Sequence, residues 1–435
     1  MRGGRSSKCY SVVTVLMKDK TIEKLIKAET KRQNETLNLI PSENFVSRDV
    51  LEALGSVLTN KYAEGYPQAR YYGGNEFVDQ VENLARERAL KLFGLSGDEW
   101  AVNVQPYSGS PANLAIYTAL VPLGEKIMGL QLDMGGHLTH GHKVSFTSKA
   151  WVSVPYVLNK KTEELDYEAI GKFARQEKPK LIITGYTAYP KIIDFKKFRE
   201  IADSCGAYLM VDMSHFAGLV AGGVYPTPFK YADVVMTTSH KTLRGPRAGV
   251  IFTRKDKKTI DPSTSSGPTR SIAERVDKAV FPGLQGGPHV NQIAAMAVAM
   301  EEAMHPNFKK YAKQIIANTK TLAGELEKLG FRLVAGGTET HLLLMDLTNK
   351  RMSGGEASNK LEKNGIIVNK NTIPYDPRAP MDPSGIRLGT PALTTRGMKE
   401  KEMKQVGRFI FEILVNGKDV SKEVRGLCKK FPLEY

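Results

Sequence analysis

The chain has 435 residues, 41% hydrophobic and 25% charged, which is an ordinary globular balance. No run approaches the roughly 20 apolar residues of a membrane span, so a membrane partner is not expected. The formal net charge of +16 raises nucleic acid as a partner. However, the lysines are spread along helix-like stretches such as KTIEKLIKAETKR, and no zinc-finger, RNP-type or basic-region pattern accompanies them.

Residues 1–17 are basic, carry serines and hold no acid. They loosely match a targeting peptide, but the apolar part is short and no convincing cleavage site follows. The segment is therefore expected to be an extension, with a transit peptide to an organelle as the alternative. Cys9, Cys205 and Cys428 stand far apart without CxxC spacing, which fits a reducing compartment and a cytoplasmic location.

Residues 18–45 read as an N-terminal helical arm with Ile22, Leu25 and Ile26 on one face, broken near Pro41 and Asn44. FVDQVENLARERALKLFG predicts an amphipathic helix over 77–94. Short apolar runs then alternate with helical stretches through WAVNVQ, NLAIYTALV, KIMGL, KLIITG, FKKFREIADSCG, AYLMVD, ADVVMTTS and AGVIFT. That rhythm predicts an α/β domain over 46–300, built on a mostly parallel sheet of the seven-stranded type covered on both faces. After residue 300 a long helix, about 307–329, leads into FRLVAGG, HLLLMDL, a helix over 355–364, IIVNKN, IRLGTPAL and a final helical stretch. This predicts a smaller α+β domain over 301–435.

Open α/β sheets bind ligands at the carboxyl ends of their strands. AYLMVDMSH puts Asp212 at such an end, with His215 three residues on, and DVVMTTSHK puts Lys241 just past another. VQPYSGSPAN places Ser108, Gly109 and Ser110 at the start of a helix beginning near Pro111, a phosphate-binding arrangement that is also an ordinary N-cap. Asp212 and Lys241 lie one strand-to-strand crossover apart, so both can face one crevice with the serines nearby. A strand-end lysine, an aspartate and a phosphate site together suit pyridoxal phosphate: the lysine attaches the cofactor and the aspartate holds its ring nitrogen protonated. An aspartate–pyridinium pair at ~4 Å and an effective dielectric near 20 interacts by about 4 kcal/mol before desolvation.

From about residue 20 onward the sequence resembles the serine hydroxymethyltransferases, pyridoxal-phosphate enzymes of fold type I. The resemblance is carried by LIPSENF, TNKYAEGYP, RYYGG, NVQPYSGSPAN, GGHLTHG, VDMSHFAGLVAGG, TTSHKTLRGPRAG, FPGLQGGPH, GGTETHLLLMDL, VNKNTIPYDP and SGIRLGTPA, in the family's order. It implies Lys241 as the Schiff-base lysine, Asp212 on the pyridine nitrogen, His137 stacked on the ring, and His215 on the cofactor's ring oxygen or the substrate. Thr187 and Thr238 would contact the cofactor. Ser108, Gly109 and Ser110 would bind the phosphate, with Gly286, Gly287 and Tyr62 from a neighbouring subunit. Arg247 is expected buried beside the cofactor.

The resemblance also implies that Arg387 clamps the substrate carboxylate, with Ser42 alongside. Glu64 would be the acid/base at the serine hydroxyl, Tyr72 would line that pocket, and Leu132, Leu138 and Asn371 would meet tetrahydrofolate. Pro41, Thr187, Ser214 and Ser239 depart from the commonest family residues, and none of these departures removes a reacting group. The implied reaction is reversible transfer of the serine hydroxymethyl carbon to tetrahydrofolate, giving glycine, in a homodimer or homotetramer with shared sites. The alternatives are a threonine-aldolase-like enzyme without folate and, more distantly, a basic nucleic-acid-binding protein. No metal is expected, because His137, His140 and His142 match no ligand spacing.

Overall fold

The computed structural model describes residues 17–256, 258–259 and 270–433. Residues 1–16, which carry the expected extension, lie outside them. The polypeptide enters through helix α1 (Lys20–Glu35), capped by the Asp19 carboxylate. No α1 residue is buried, so Leu25 and Ile26 face outward. Leu37–Asn38 then pairs in parallel with Ile366–Ile367 and ties the arm to the C-terminal half.

Seven strands form the central sheet: β1 (Trp100–Asn103), β2 (Lys126–Met128), β3 (Val152–Ser153), β4 (Leu181–Thr184), β5 (Tyr208–Asp212), β6 (Val234–Thr238) and β7 (Gly249–Arg254). Their order is β1-β7-β6-β5-β4-β2-β3. All neighbours are parallel except β7, which runs antiparallel to β1 and β6. Every residue of β4 and β6 is buried, as continuous apolar runs require in a sheet covered on both faces. Alternation divides β5 and β6 between two cores. Leu209, Val211 and Val235 join the larger one, while Met210, Val234 and Met236 pack under helix α2 (Gly109–Leu120) on the other face.

Helix α3 (Val290–Met304) closes the large domain, and α4 (Pro306–Lys328) leaves it. The first half of α4 gives Phe308, Ala312 and Ile315 to the large core, and the second half gives Leu322, Ala323 and Leu326 to another. That second core covers an antiparallel sheet of β8 (Arg332–Leu333), β9 (Leu342–Asp346), β10 (Asn369–Asn371) and β11 (Gly385–Gly389), ordered β8-β9-β11-β10. Helices α5 (Gly354–Lys363), α6 (Glu400–Leu414) and α7 (Ser421–Lys430) complete the domain. Among the described residues no helix is long and apolar enough to cross a membrane.

Candidate active site

The ends of β4, β5 and β6, the start of α2 and the edge of the small domain enclose a pocket of about 260 Å³. In the β5–β6 register Asp212 lies opposite Met236, and Lys241 follows five residues later in the loop beyond β6. Gly185, just past β4, has φ +105° and touches the next strand end: a Cβ there would meet the Asp212 carbonyl oxygen at 1.9 Å. Only glycine satisfies both constraints.

The buried Asp212 carboxylate accepts from His140 Nε2 at 3.1 Å, from the Asn113 amide at 3.3 Å and from the Ser214 backbone N–H at 3.0 Å. Burial alone would raise its pKa, but the hydrogen bond and charge of His140 outweigh that and hold it well below the usual carboxylate range. Lys241 Nζ donates to Thr238 Oγ1 at 2.8 Å. Its pKa is pushed down to about 8, first by burial and then by Arg247 and Arg387, against the opposing pull of Asp212. His137 is likewise lowered to about 4, chiefly by burial, with its Nδ1 2.7 Å from Thr139 Oγ1.

Helix α2 starts with Ser108, whose hydroxyl makes no capping hydrogen bond. A Cβ on Gly109 would stand 2.9 Å from the Thr238 methyl, so glycine lets the helix start press against the end of β6. Ser110 lies on the exposed side. From the small domain β11 delivers the buried Arg387, which donates to the Thr187 carbonyl at 2.5 Å and to Asn369 Oδ1 at 3.2 Å. Burial lowers its pKa to about 10, still charged at neutral pH. Ser42 lines the same pocket, held there by a segment in which Asn44 donates to the Lys241 carbonyl at 3.0 Å.

Opening from this pocket through His140 and Thr187 is a cleft of about 1060 Å³, lined among others by Leu132, Trp151 and Asn371. Leu138, expected there, is not among its walls and is exposed. It follows His137 in a short 3-10 turn whose buried residues are Thr139 and His140, and its own side chain is left outside. Arg247 is a correction: it is exposed at the rim of the pocket rather than buried, because it belongs to the turn between β6 and β7.

Tyr62, Glu64, Tyr72, Gly286 and Gly287 do not line the Lys241 pocket in this chain. They gather in a separate cluster. Tyr62 and Tyr72 pack edge to face at 5.2 Å, and Cβ positions on Gly286 and Gly287 would approach Glu64 Oε1 and the Tyr62 ring at 3.3 and 3.5 Å. Tyr107, adjoining Ser108, connects cluster and site by donating to the Gly287 carbonyl at 2.8 Å and stacking on His289.

Sequence reasoning overlooked Asn113, Tyr107 and His341, and read Ser214 only as a departure from the commonest family residue. For Asn113 a signal existed: it stands four residues after Gly109 in an apolar helix, hence on the same face. His140, which the sequence suggests only as a metal ligand, instead engages Asp212 through Nε2.

A parallel sheet with antiparallel β7, a lysine and an aspartate at adjacent strand ends and a small C-terminal domain closing over them define a fold-type I pyridoxal-phosphate enzyme. The family model for serine hydroxymethyltransferase matches residues 15–410. The curated serine hydroxymethyltransferase of Koribacter versatilis (strain Ellin345) is 53% identical over 421 residues, covering 95% of this chain and 94% of that protein. The chain belongs to the serine hydroxymethyltransferase family.

Proposed function

We propose that this chain interconverts serine and glycine, passing the hydroxymethyl carbon to and from tetrahydrofolate, with pyridoxal phosphate attached at Lys241. The observation that carries the reading is the convergence of Lys241, a strongly acidified Asp212 and Arg387 on one 260 Å³ pocket. The residues suit the cofactor. Asp212 is held as a carboxylate for the ring nitrogen, the Ser108 hydroxyl is uncommitted for the phosphate, and Lys241 at a pKa of about 8 is roughly a tenth free amine at pH 7. When bound, the cofactor supplies the electron sink that lets the Cα–Cβ bond of serine break.

This chain's own groups do the rest. Arg387, its plane fixed by Thr187 and Asn369, binds the carboxylate with its remaining donors, assisted by Ser42. His137 covers the ring face, and Thr187 and Thr238 line it with Gly109. Glu64 moves the proton at the serine hydroxyl, with Tyr72 beside it. Because Tyr62, Glu64, Gly286 and Gly287 stand apart from Lys241 in one chain, they serve the site of a neighbouring copy, in a dimer or larger assembly. The exposed Tyr62, Tyr72, Leu25 and Ile26 fit burial in such an assembly. The 1060 Å³ cleft, with Leu132 and Asn371, is of a size for the folate. The cysteine pattern supports a cytoplasmic location, which sequencing of the mature N-terminus tests.

The deciding experiment is an absorbance spectrum with glycine and tetrahydrofolate. A new long-wavelength band that needs both ligands is the expected result. A cofactor band indifferent to folate would instead indicate an aldolase without folate.

A further inference from the structure

His341 precedes β9 at the edge of the small domain that faces the pocket, and it is buried. Its backbone carbonyl accepts from the Thr390 N–H at 3.2 Å, which locks its position relative to β11 and Arg387. Its Nε2 lies 3.3 Å from Nδ1 of His215, a residue of the large domain, with ring centroids 5.5 Å apart. His215 in turn lines the Lys241 pocket, so one ring joins the two domains through a single nitrogen-to-nitrogen contact.

Both imidazoles are neutral at physiological pH. Burial lowers His341 to about 3 and holds His215 well below its usual range, and the positive charges of Lys241 and Arg387 act in the same direction. A hydrogen bond between two neutral imidazoles needs one N–H and one lone pair. Whichever nitrogen donates therefore fixes where His215 carries its only proton. If His341 Nε2 donates, His215 Nδ1 is the acceptor and Nε2–H is left for the pocket. If the bond runs the other way, His215 offers the pocket a lone pair.

We infer that His341 is a positioning residue that donates from Nε2 to His215 Nδ1, so that His215 presents an N–H toward the reacting site. The choice of direction rests on the pyridoxal-phosphate reading, in which His215 must donate to an oxygen of the cofactor or substrate. It also leaves His341 Nδ1 as an acceptor. That atom is buried and has no hydrogen-bond partner among the described residues. His341 borders a cavity of about 10 Å³ that is also lined by His215, Tyr186, Tyr189 and Tyr225. The space suits one water, which would donate to Nδ1. A purely packing role for His341 would need neither the nitrogen contact nor a polar-walled cavity behind it.

The test is nitrogen NMR of ring-labelled histidines in the cofactor-free full chain, the eight histidines being resolved with single His→Gln variants at 215 and 341. The expected result is a lone-pair nitrogen at His215 Nδ1 and a protonated Nε2. His341→Leu should mix the two tautomers and weaken cofactor binding about fivefold, the loss of a typical neutral hydrogen bond. His341→Gln, whose amide N–H can reach the same spot, should recover most of that loss. A protonated Nδ1 at His215 in the unaltered protein, or a tautomer unchanged in His341→Leu, overturns the inference. Should the leucine variant fail to fold, the wild-type tautomer alone decides. A protein that shows the expected tautomer yet binds no pyridoxal phosphate would refute the functional reading and leave the histidine pair standing.

Discussion

Gly109 and Thr238 stand so close that a single added methyl group would bring two carbons to 2.9 Å, nearer than packed carbons approach. The contact joins the start of α2 to the end of β6, and thus the candidate phosphate site to the threonine that holds Lys241. Gly109→Ala should cost about 1–3 kcal/mol of stability, the usual penalty of overpacking, and should weaken cofactor binding. Thr238→Ser deletes the offending methyl while keeping the hydroxyl. The double variant should therefore be more stable than Gly109→Ala alone, and thermal melts of the four proteins measure the coupling. Simple additivity would refute the steric account.

His140 donates to a buried carboxylate, and its loss should be felt at the cofactor. With His140→Leu, Asp212 keeps only Asn113 and the Ser214 N–H. Hydrogen bonds to charged groups contribute about 1.5–3 kcal/mol, so pyridoxal-phosphate affinity should fall roughly 10- to 100-fold. Equilibrium titration of the cofactor-free protein reads this directly, and an unchanged dissociation constant would remove His140 from the site's electrostatics.

Lys241 gives a pH dependence whose sign can be worked out. Its folded pKa of about 8 lies below the ordinary lysine value. Attachment of the cofactor needs the neutral amine, so its rate should rise with pH and level off above about 8. Stability follows the same direction. Between about pH 8 and the unfolded value near 10.4 the unfolded chain binds more protons, so this group's destabilising contribution, full below 8, fades as pH rises. Arg387→Leu removes one of the charges that lower Lys241 and should move the midpoint upward. Stopped-flow attachment rates across pH provide the check.

The proposed sharing of sites between copies makes a complementation test available. Lys241→Ala and Glu64→Gln should each be inactive or nearly so as pure proteins. Unfolding them together and refolding the mixture should restore about a quarter of wild-type activity. Half of the randomly paired dimers are then mixed, and each mixed dimer carries one intact site. A mixture as inactive as its components would mean that Glu64 acts within its own chain or not at all.

The sequence made the chemistry legible where function and strand-end geometry coincide. Asp212 and Lys241 were readable because a parallel crossover brings adjacent strand ends together whatever the rest of the chain does. Helices α4 and α5 were readable to within a residue from periodicity, whereas α1 stops at Glu35, short of Pro41, where the sequence alone places the break. What remained hidden depends on distant packing. His140 meets Asp212 across 72 residues with nothing local to announce it, and Asn113 meets it across 99, announced only by its helix face. Arg247 stands exposed at the pocket rim rather than buried, because only the fold decides how deeply a β6–β7 turn sinks into the site. Leu138 is exposed because its 3-10 turn buries Thr139 and His140 instead, which the sequence alone does not show.

The helix Pro306–Lys328 gives Phe308 and Ala312 to one core and Leu322 and Leu326 to the other. A continuous run of backbone hydrogen bonds therefore runs from one hydrophobic interior into the next. Melting either interior frays the shared rod and strips apolar partners from its counterpart. The two folding units are in this sense cooperative with one another: the chain should lose its tertiary order in one transition, and a fragment cut anywhere along that rod would inherit half a core.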